Sequence, residues 1–359
     1  MSTETGADTD TGLPGLDLPV WRRWYDAQRP GEITGELRGS LIAGGKSNLT
    51  YEVTDGFRWW IVRRPPLGHV QATAHDMGRE FTVMSALADT DVPVPRTYAH
   101  CPDPDVLGAP FYVMERVEGT PYRTAAELTA LGEQHTAELG AALVDVLARL
   151  HDVDPTAVGL TELGRPAGFL ERQVRRWGRQ LEGSRTRELP DATRLLDHLA
   201  AHVPPETGDA GRAGIVHGDY RLDNLLAVAG DPQPVRAVVD WEMATLGDPL
   251  TDVALLLVYD SLGAISGGAA VADASTAPGY PSPEAQLERY AAASGRDLGR
   301  MDFHLGLAHL KLAVILEGIH HRHLLGQTVG EGFDTVGEAV EPLLAAGLAA
   351  ATGTPDRQH

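Results

Sequence analysis

The run Val216-His217-Gly218-Asp219-Tyr220-Arg221-Leu222-Asp223-Asn224, with Val239-Asp240-Trp241-Glu242 placing Asp240 sixteen residues beyond Asn224, decides the reading of this chain. Moving a phosphoryl group onto a hydroxyl needs one carboxylate beside the acceptor oxygen. It also needs two oxygen ligands that hold a divalent cation on the nucleotide phosphates. Asp219, Asn224 and Asp240 supply these groups in that order, and Arg221 falls where a cation can face the transferring phosphate. The apolar stretches Leu225 to Val228 and Val235 to Val239 read as two short strands joined by a turn at Gly230-Asp231-Pro232. Such a hairpin carries Asn224 and Asp240 back into one cleft. His217 reads as a brace for the loop, and Asp248 as the cap of a helix starting near Pro249.

Working outward, the N-terminal third has the makings of a phosphate-binding half. Gly44 and Gly45 lie between two predicted strands, where missing side chains let backbone N–H groups approach a phosphate. A plain hairpin turn would use the same glycines. Gly45-Lys46-Ser47 has the ending of a Walker A loop, but position 40 is Ser where that motif needs Gly, and the following Leu49 to Val53 reads as a strand. Arg63 on a predicted third strand and Glu80 on the following helix match a phosphate-binding cation and the acid that orients it, with Arg in place of the more usual Lys. In Met114-Glu115-Arg116-Val117, the backbone of Glu115 and Val117 is suited to reading a planar base edge while Met114 packs on the ring.

These residues together resemble the aminoglycoside phosphotransferase (APH) family of phosphotransferases, which has a protein-kinase-like fold. The chain is most similar to the actinobacterial subgroup related to the kinase domain fused to some acyl-CoA dehydrogenases. The resemblance spans roughly residues 35 to 350 and rests on Gly44-Gly45-Lys46-Ser47-Asn48, Val62-Arg63-Arg64-Pro65-Pro66, Arg79-Glu80, Val92-Pro93-Val94-Pro95, Phe111 to Glu115, Leu150-His151, the two motifs above and Gly247-Asp248-Pro249. It implies ATP and Mg²⁺ as cofactors, with Gly44, Gly45, Lys46, Ser47, Asn48, Arg63, Glu80, Met114, Glu115 and Val117 toward the nucleotide. Asn224 and Asp240 would hold the metal, and Asp219 and Arg221 would act on the reacting groups. It also leans toward a hydroxyacyl acceptor, including hydroxyacyl-CoA. ATP over GTP rests on the resemblance alone.

Length and composition agree. A chain of 359 residues is long for one core, so two lobes are expected. Residues 1 to 18 read as a disordered arm, 19 to 118 as a β-rich nucleotide lobe with one helix (72 to 87), and 119 to 359 as a larger, mainly helical lobe. The fold class is therefore α+β with a small antiparallel sheet. A net charge of −20 argues against nucleic acid and anionic membrane as partners but does not identify the substrate; a small-molecule hydroxyl acceptor is what the resemblance implies. No apolar run is long enough to span a bilayer, and the first residues lack a signal-peptide core, so a cytoplasmic location is expected. The single cysteine, Cys101, reads as a loop thiol.

Three further features bear on function. Residues 261 to 280, mostly Gly, Ala and Ser, read either as a flexible substrate lid or as plain disorder. The helix from Phe169 to Leu181 sets a core stripe against Arg172, Arg175, Arg176 and Arg179, which read either as a solvated basic face paired with nearby acids or as a face that meets an anionic substrate. The histidines His320, His321 and His323 lack a completing ligand set. Two other functions fit the same residues: phosphorylation of an aminoglycoside or other antibiotic, and a pseudokinase that binds nucleotide without turnover. Oligomeric state leaves no trace in the sequence.

Overall fold

The computed structural model describes residues 13–42, 48–67, 76–205, 213–265, 273–328 and 333–353. The chain divides into two compact units, Met1–Ala88 with Pro95–Val117, and Asp89–Val94 with Glu118–His359. The expected boundary at 118/119 misses the transfer of residues 89–94 to the second unit. Val238 N–H donates to the Pro93 carbonyl at 2.8 Å, and Val92 is buried, so this segment belongs with the strands of the later motif.

The first unit is a five-stranded antiparallel sheet, ordered β1-β2-β3-β5-β4, from β1 (Arg38–Leu41), β2 (Leu49–Thr54), β3 (Trp59–Arg64), β4 (Thr97–Cys101) and β5 (Phe111–Glu115). Alternation fixes its inner face, because Tyr51 and Val53 of β2 pair with Val62 and Trp60 of β3 and all four are fully buried. The β2–β3 turn is held by Asp55, whose carboxylate accepts from the N–H groups of Phe57, Arg58 and Thr34 at 2.8 to 2.9 Å. Burial alone would raise the Asp55 carboxyl, but those backbone donors keep it well below the usual range.

Two sequence expectations fail here. The arm assigned to residues 1–18 is packed from Leu13 onward, and residues 1–12 lie outside the described residues. Leu16 is buried, and a helix, α1 (Leu18–Gln28), begins with Pro19 in its first turn and the Asp17 side chain accepting from Val20 N–H at 2.8 Å. Trp21 and Tyr25 of α1 stack 5.1 Å apart and meet Trp60 edge-on, so this helix closes the core of the sheet. The unit consequently has more than one helix: α1, α2 (Met77–Leu87) and the single turn α3 (Pro104–Leu107). The predicted start of α2 at 72 falls outside the described residues, and Asp76 caps it by accepting from Arg79 N–H at 3.0 Å. Cys101 is the second correction: it is buried at the end of strand β4, where burial raises its thiol pKa.

The second unit is mainly helical: α4 (Ala125–Leu131), α5 (Glu133–Asp152), α6 (Phe169–Ser184), α7 (Pro190–Ala201), α8 (Leu250–Ile265), α9 (Pro283–Ser294), α10 (Met301–Leu324) and α11 (Val340–Thr352). Its centre is α10, which packs against α6, α7, α8 and α11, while α5 packs against α9. Two small antiparallel pairs carry the motif loops: β6 (Gly214–Val216) with β9 (Thr245–Gly247), and β7 (Leu225–Ala227) with β8 (Val235–Val238). A Cβ at Gly247 would sit 2.6 Å from the Phe169 ring, so this glycine lets α6 dock on β9.

The lid expected at 261–280 is reduced at both ends. Residues 261–265 continue α8, and Ala274 and Ala277 are buried; residues 266–272 lie outside the described residues. The returning chain is tied to Asp260, whose carboxylate accepts from Gln286 at 2.9 Å and Tyr280 at 3.2 Å. Burial pushes the Asp260 carboxyl up to about 6, against the lowering effect of those two donors. A folded-state pKa raised from 3.8 means that the stability contributed is fully present below pH 3.8 and is lost as pH rises through about 6. Asp260→Asn, which cannot ionise, should therefore melt higher than wild type near pH ~7.5 and lose that advantage by pH ~4. Calorimetry at the two pH values checks this, and a pH-independent difference would contradict it.

Candidate active site

In the first unit, Arg63 of β3 and Glu80 of α2 form the expected pair, with Arg63 Nε 3.2 Å from Glu80 Oε2. Glu80 is fully buried, and Tyr112 Oη donates to its Oε2 at 3.0 Å and Asn48 Nδ2 to its Oε1 at 3.3 Å. A buried carboxylate needs such partners, and with them it orients the guanidinium above it. Asn48, grouped with the phosphate loop in the sequence, here directs its amide to Glu80. Gly44, Gly45, Lys46 and Ser47 lie outside the described residues. Met114 is buried in β5, opposite Ile61 and Thr97. Glu115 commits its N–H to the Arg96 carbonyl at 2.8 Å, whereas neither backbone group of Val117 has a backbone partner among the described residues. Of Glu115 and Val117, Val117 is thus the one whose N–H has no backbone partner among the described residues.

If Arg63 carries the phosphates, Arg63→Ala should raise the nucleotide KM about tenfold or more, the value of a lost charge-assisted hydrogen bond, while Arg63→Lys stays within a few-fold. The Ala variant should also melt lower, since it strips Glu80 of its charge partner. Steady-state kinetics below the melting temperature checks the pair; equal nucleotide KM for Ala and wild type would reduce Arg63 to a structural charge.

The second unit brings the motif residues together. Gly218 has φ 84°, and a Cβ there would lie 2.7 Å from the Met243 carbonyl oxygen, so only glycine lets the loop turn tightly beside that segment. The loop is fixed from three sides. Asp252 of α8 accepts from His217 N–H at 2.6 Å and Gly218 N–H at 2.8 Å. His217 Nε2 donates to the Val239 carbonyl at 3.0 Å and its Nδ1 accepts from Asp219 N–H at 3.2 Å, which makes it a brace. Lys311 of α10 donates to the Gly218 carbonyl at 2.6 Å.

Asp252 is fully buried beside His151 of α5, whose Nε2 lies 3.3 Å away and whose Nδ1 meets Tyr290 Oη at 2.7 Å. Burial would raise Asp252, but hydrogen bonds from His151 and the loop amides, with the nearby imidazoles, keep it below the usual range. Burial outweighs Asp252 at His151 and pushes the imidazole down. The pair is thus an ionised carboxylate and a neutral imidazole, whose Nε2–H donates to Asp252 and whose Nδ1 accepts from Tyr290. Asp252, Tyr290, Tyr259 and Lys311 are not among the residues expected from the sequence, because each comes from a distant helix with no local motif.

At the centre, Asp219 Oδ2 accepts from Asn224 Nδ2 at 3.1 Å, and its Oδ1 accepts from Tyr259 Oη at 2.7 Å. Burial and the adjacent Asp219 charge raise the Tyr259 phenol well above its usual value, so it stays a donor. With Asn224 Nδ2 spent on Asp219, its Oδ1 is the side-chain atom left to face a metal ion. Val239 N–H donates to the Asn224 carbonyl at 2.9 Å, so the hairpin sets Asp240 next to Asn224 as the pattern requires. Asp240 sits at φ 69°, the one non-glycine positive φ among the described residues, in a region that Asp tolerates better than most. Its carboxylate and that of Glu242 have oxygens within 4.8 Å of each other. Asn224 Oδ1 and these carboxylates are hard oxygen donors and fit Mg²⁺.

Arg221 is less available than its position in the motif implies. Its Nη2 lies 2.8 Å from Asp223 and its Nε 3.8 Å from Asp219, with the guanidinium 5.0 Å from the Tyr259 ring centre. Burial would lower this guanidinium, but the two carboxylates raise it instead. Asp248 caps α8 by accepting from Leu250 N–H at 3.0 Å, and it also pairs with His304 at 2.9 Å.

The model of the phosphotransferase enzyme family matches residues 38–304, and the chain belongs to that family. It is a phosphotransferase with the α+β, protein-kinase-like fold. Acyl-CoA dehydrogenase family member 10 of Mus musculus is 34% identical over 314 residues, covering 86% of this chain and 29% of that protein. Acyl-CoA dehydrogenase family member 11 of Gallus gallus is 32% identical over 325 residues, covering 89% and 41%. The chain therefore spans less than half the length of these curated relatives. A solved structure from Ralstonia eutropha JMP134, described as a candidate aminoglycoside phosphotransferase, superposes with a TM-score of 0.81 at 32% identity, covering 94% of this chain and 98% of that one. Among the described residues no helix is long and apolar enough to cross a membrane.

Proposed function

We propose that the chain uses ATP and Mg²⁺ to phosphorylate the hydroxyl of a small molecule, with a hydroxyacyl compound or hydroxyacyl-CoA as acceptor. The observation that carries this reading is the Asp219–Asn224 hydrogen bond beside Asp240, which leaves one carboxylate for the acceptor and a separate oxygen set for the metal. Asp219 accepts or orients the acceptor hydroxyl proton; because its Oδ1 already holds the Tyr259 phenol, an arriving hydroxyl must share or displace that donor. Bound through Asn224 Oδ1 and Asp240, Mg²⁺ would neutralise charge on the transferring phosphate. Arg63, steadied by Glu80, holds nucleotide phosphates, and Val117 offers its backbone to the base. An intact set at 219, 224 and 240 argues against a pseudokinase.

The acceptor reading draws on the relatives named for acyl-CoA dehydrogenases, and the Ralstonia structure favours the aminoglycoside alternative. Charge separates them, because an aminoglycoside is a polycation and a CoA thioester an anion. ADP release measured across hydroxyacyl-CoAs, hydroxy acids, amino alcohols, sugars and aminoglycosides should rank the acyl acceptors first. An aminoglycoside with the highest kcat/KM would overturn the acyl assignment while leaving the phosphotransferase chemistry in place.

A further inference from the structure

The basic face of α6 divides once partners are assigned. Arg172 spends its guanidinium on the carbonyls of Arg165 and Ala167, and Arg175 pairs with Glu171 at 2.5 Å. Arg176 is exposed and makes no ion pair or hydrogen bond among the described residues; its guanidinium lies 5.3 Å from the centre of the Trp177 ring. Lys311 reaches the same indole from α10, with Nζ 5.8 Å from the ring centre, and its hydrogen bond to Gly218 places it beside Asp219.

Two cations are thus gathered on one buried indole, next to the catalytic loop, in a chain of net charge −20. Their mutual repulsion is unfavourable in the ligand-free molecule. Burial pushes the Lys311 ammonium below its usual value, Asp219 and Asp252 pull it back up, and Arg176 pushes it down again. Lys311 gives one of its three N–H donors to Gly218, and the other two have no partner among the described residues. An anion bound beside Lys311 would relieve its repulsion with Arg176 and take charge-assisted hydrogen bonds from the spare N–H donors.

Resting on the reading of Asp219 as the group that meets the acceptor hydroxyl, we propose that Arg176 and Lys311, over the shared indole of Trp177, form an anion subsite for the acceptor. The alcohols phosphorylated then carry an anionic oxygen group, carboxylate or phosphate, within a few atoms of the reacting hydroxyl, which favours a free hydroxy acid over its CoA thioester, whose carboxyl is masked. An acid cluster at this place would have suited a polycationic acceptor; the cations select against one. This takes Arg172 and Arg175, which are spent on partners of their own, out of the specificity region of α6, singles out Arg176 by its place on the indole it shares with Lys311, and adds a lysine that no motif announced.

The test uses matched acceptors that differ only in charge: 3- and 4-hydroxybutyrate against their amides for the carboxylate arm, and glycerol 3-phosphate against glycerol for the phosphate arm. Turnover is read as ADP release, and binding by saturation-transfer NMR. Wild type should prefer the anionic member of at least one pair about tenfold or more, Arg176→Gln should bring that ratio close to one, and Arg176→Lys should restore part of it. Lys311→Met should also lower the ratio, with a melting curve to show that the variant folds. An Arg176→Gln enzyme that discriminates as wild type does, or a wild type indifferent to charge, overturns the subsite. If no pair is turned over, an anionic group close to the reacting hydroxyl does not make an alcohol an acceptor and that part of the proposal fails, while the NMR comparison still decides whether the anions bind through Arg176.

Discussion

Asp219→Asn should lower kcat by about 10² to 10⁴, the usual contribution of a positioned general base, with nucleotide binding retained. The substitution keeps the shape of the side chain but removes the charge that accepts the hydroxyl proton. It also disturbs the local bonds, because Asp219 now accepts from both Tyr259 and Asn224, and an amide must turn its NH₂ toward one of these donors. Loss of one such bond costs about 1 kcal/mol, so the melting point should fall only modestly. Product formation and a nucleotide-binding titration on the same preparation check the two halves. A variant with near-wild-type kcat would remove Asp219 from the chemistry.

Asp240→Asn and Asp240→Ala should each reduce turnover by about 10² to 10³ or more, the scale of losing a main electrostatic element of a phosphoryl-transfer site. They should differ in stability. Asp240 holds φ 69°, where Asn is tolerated and Ala is strained by about 1 kcal/mol, so the Ala variant should melt below the Asn variant. The loss should also be partly relieved by raising Mg²⁺ if the residue is a metal ligand. Unchanged turnover in both variants at saturating Mg²⁺ would dismiss the metal assignment.

Much of this site was legible because its residues lie in short, closely spaced runs. The pairing of β7 with β8, the brace at His217 and the cap at Asp248 follow from local pattern, since a hairpin or cap is decided by neighbours in sequence. The supports were not legible. Asp252 meets His217 from 35 residues away and His151 from 101, and no spacing rule links them. Lys311 left one faint signal, a lone cation inside the apolar run Leu305 to Leu316, where an unpaired charge would be costly. Helix α1 was hidden by its neighbours: the polar residues before it suggested disorder, although Asp17, Pro19, Trp21 and Tyr25 are a cap followed by an apolar i,i+4 face. The arginines of α6 were countable, but partners such as the carbonyls taken by Arg172 appear only when the chain is folded.

The most direct test of the phosphotransferase centre is transfer of label from γ-phosphate-labelled ATP to the acceptor pool by wild type, Asp219→Asn and Asp240→Asn, each with Mg²⁺ and with chelator. Wild type with Mg²⁺ should give a labelled hydroxyl product, with losses of about 10² or more in both variants and in chelator. Label transfer that survives both substitutions, or that proceeds equally in chelator, would contradict this assignment of the centre.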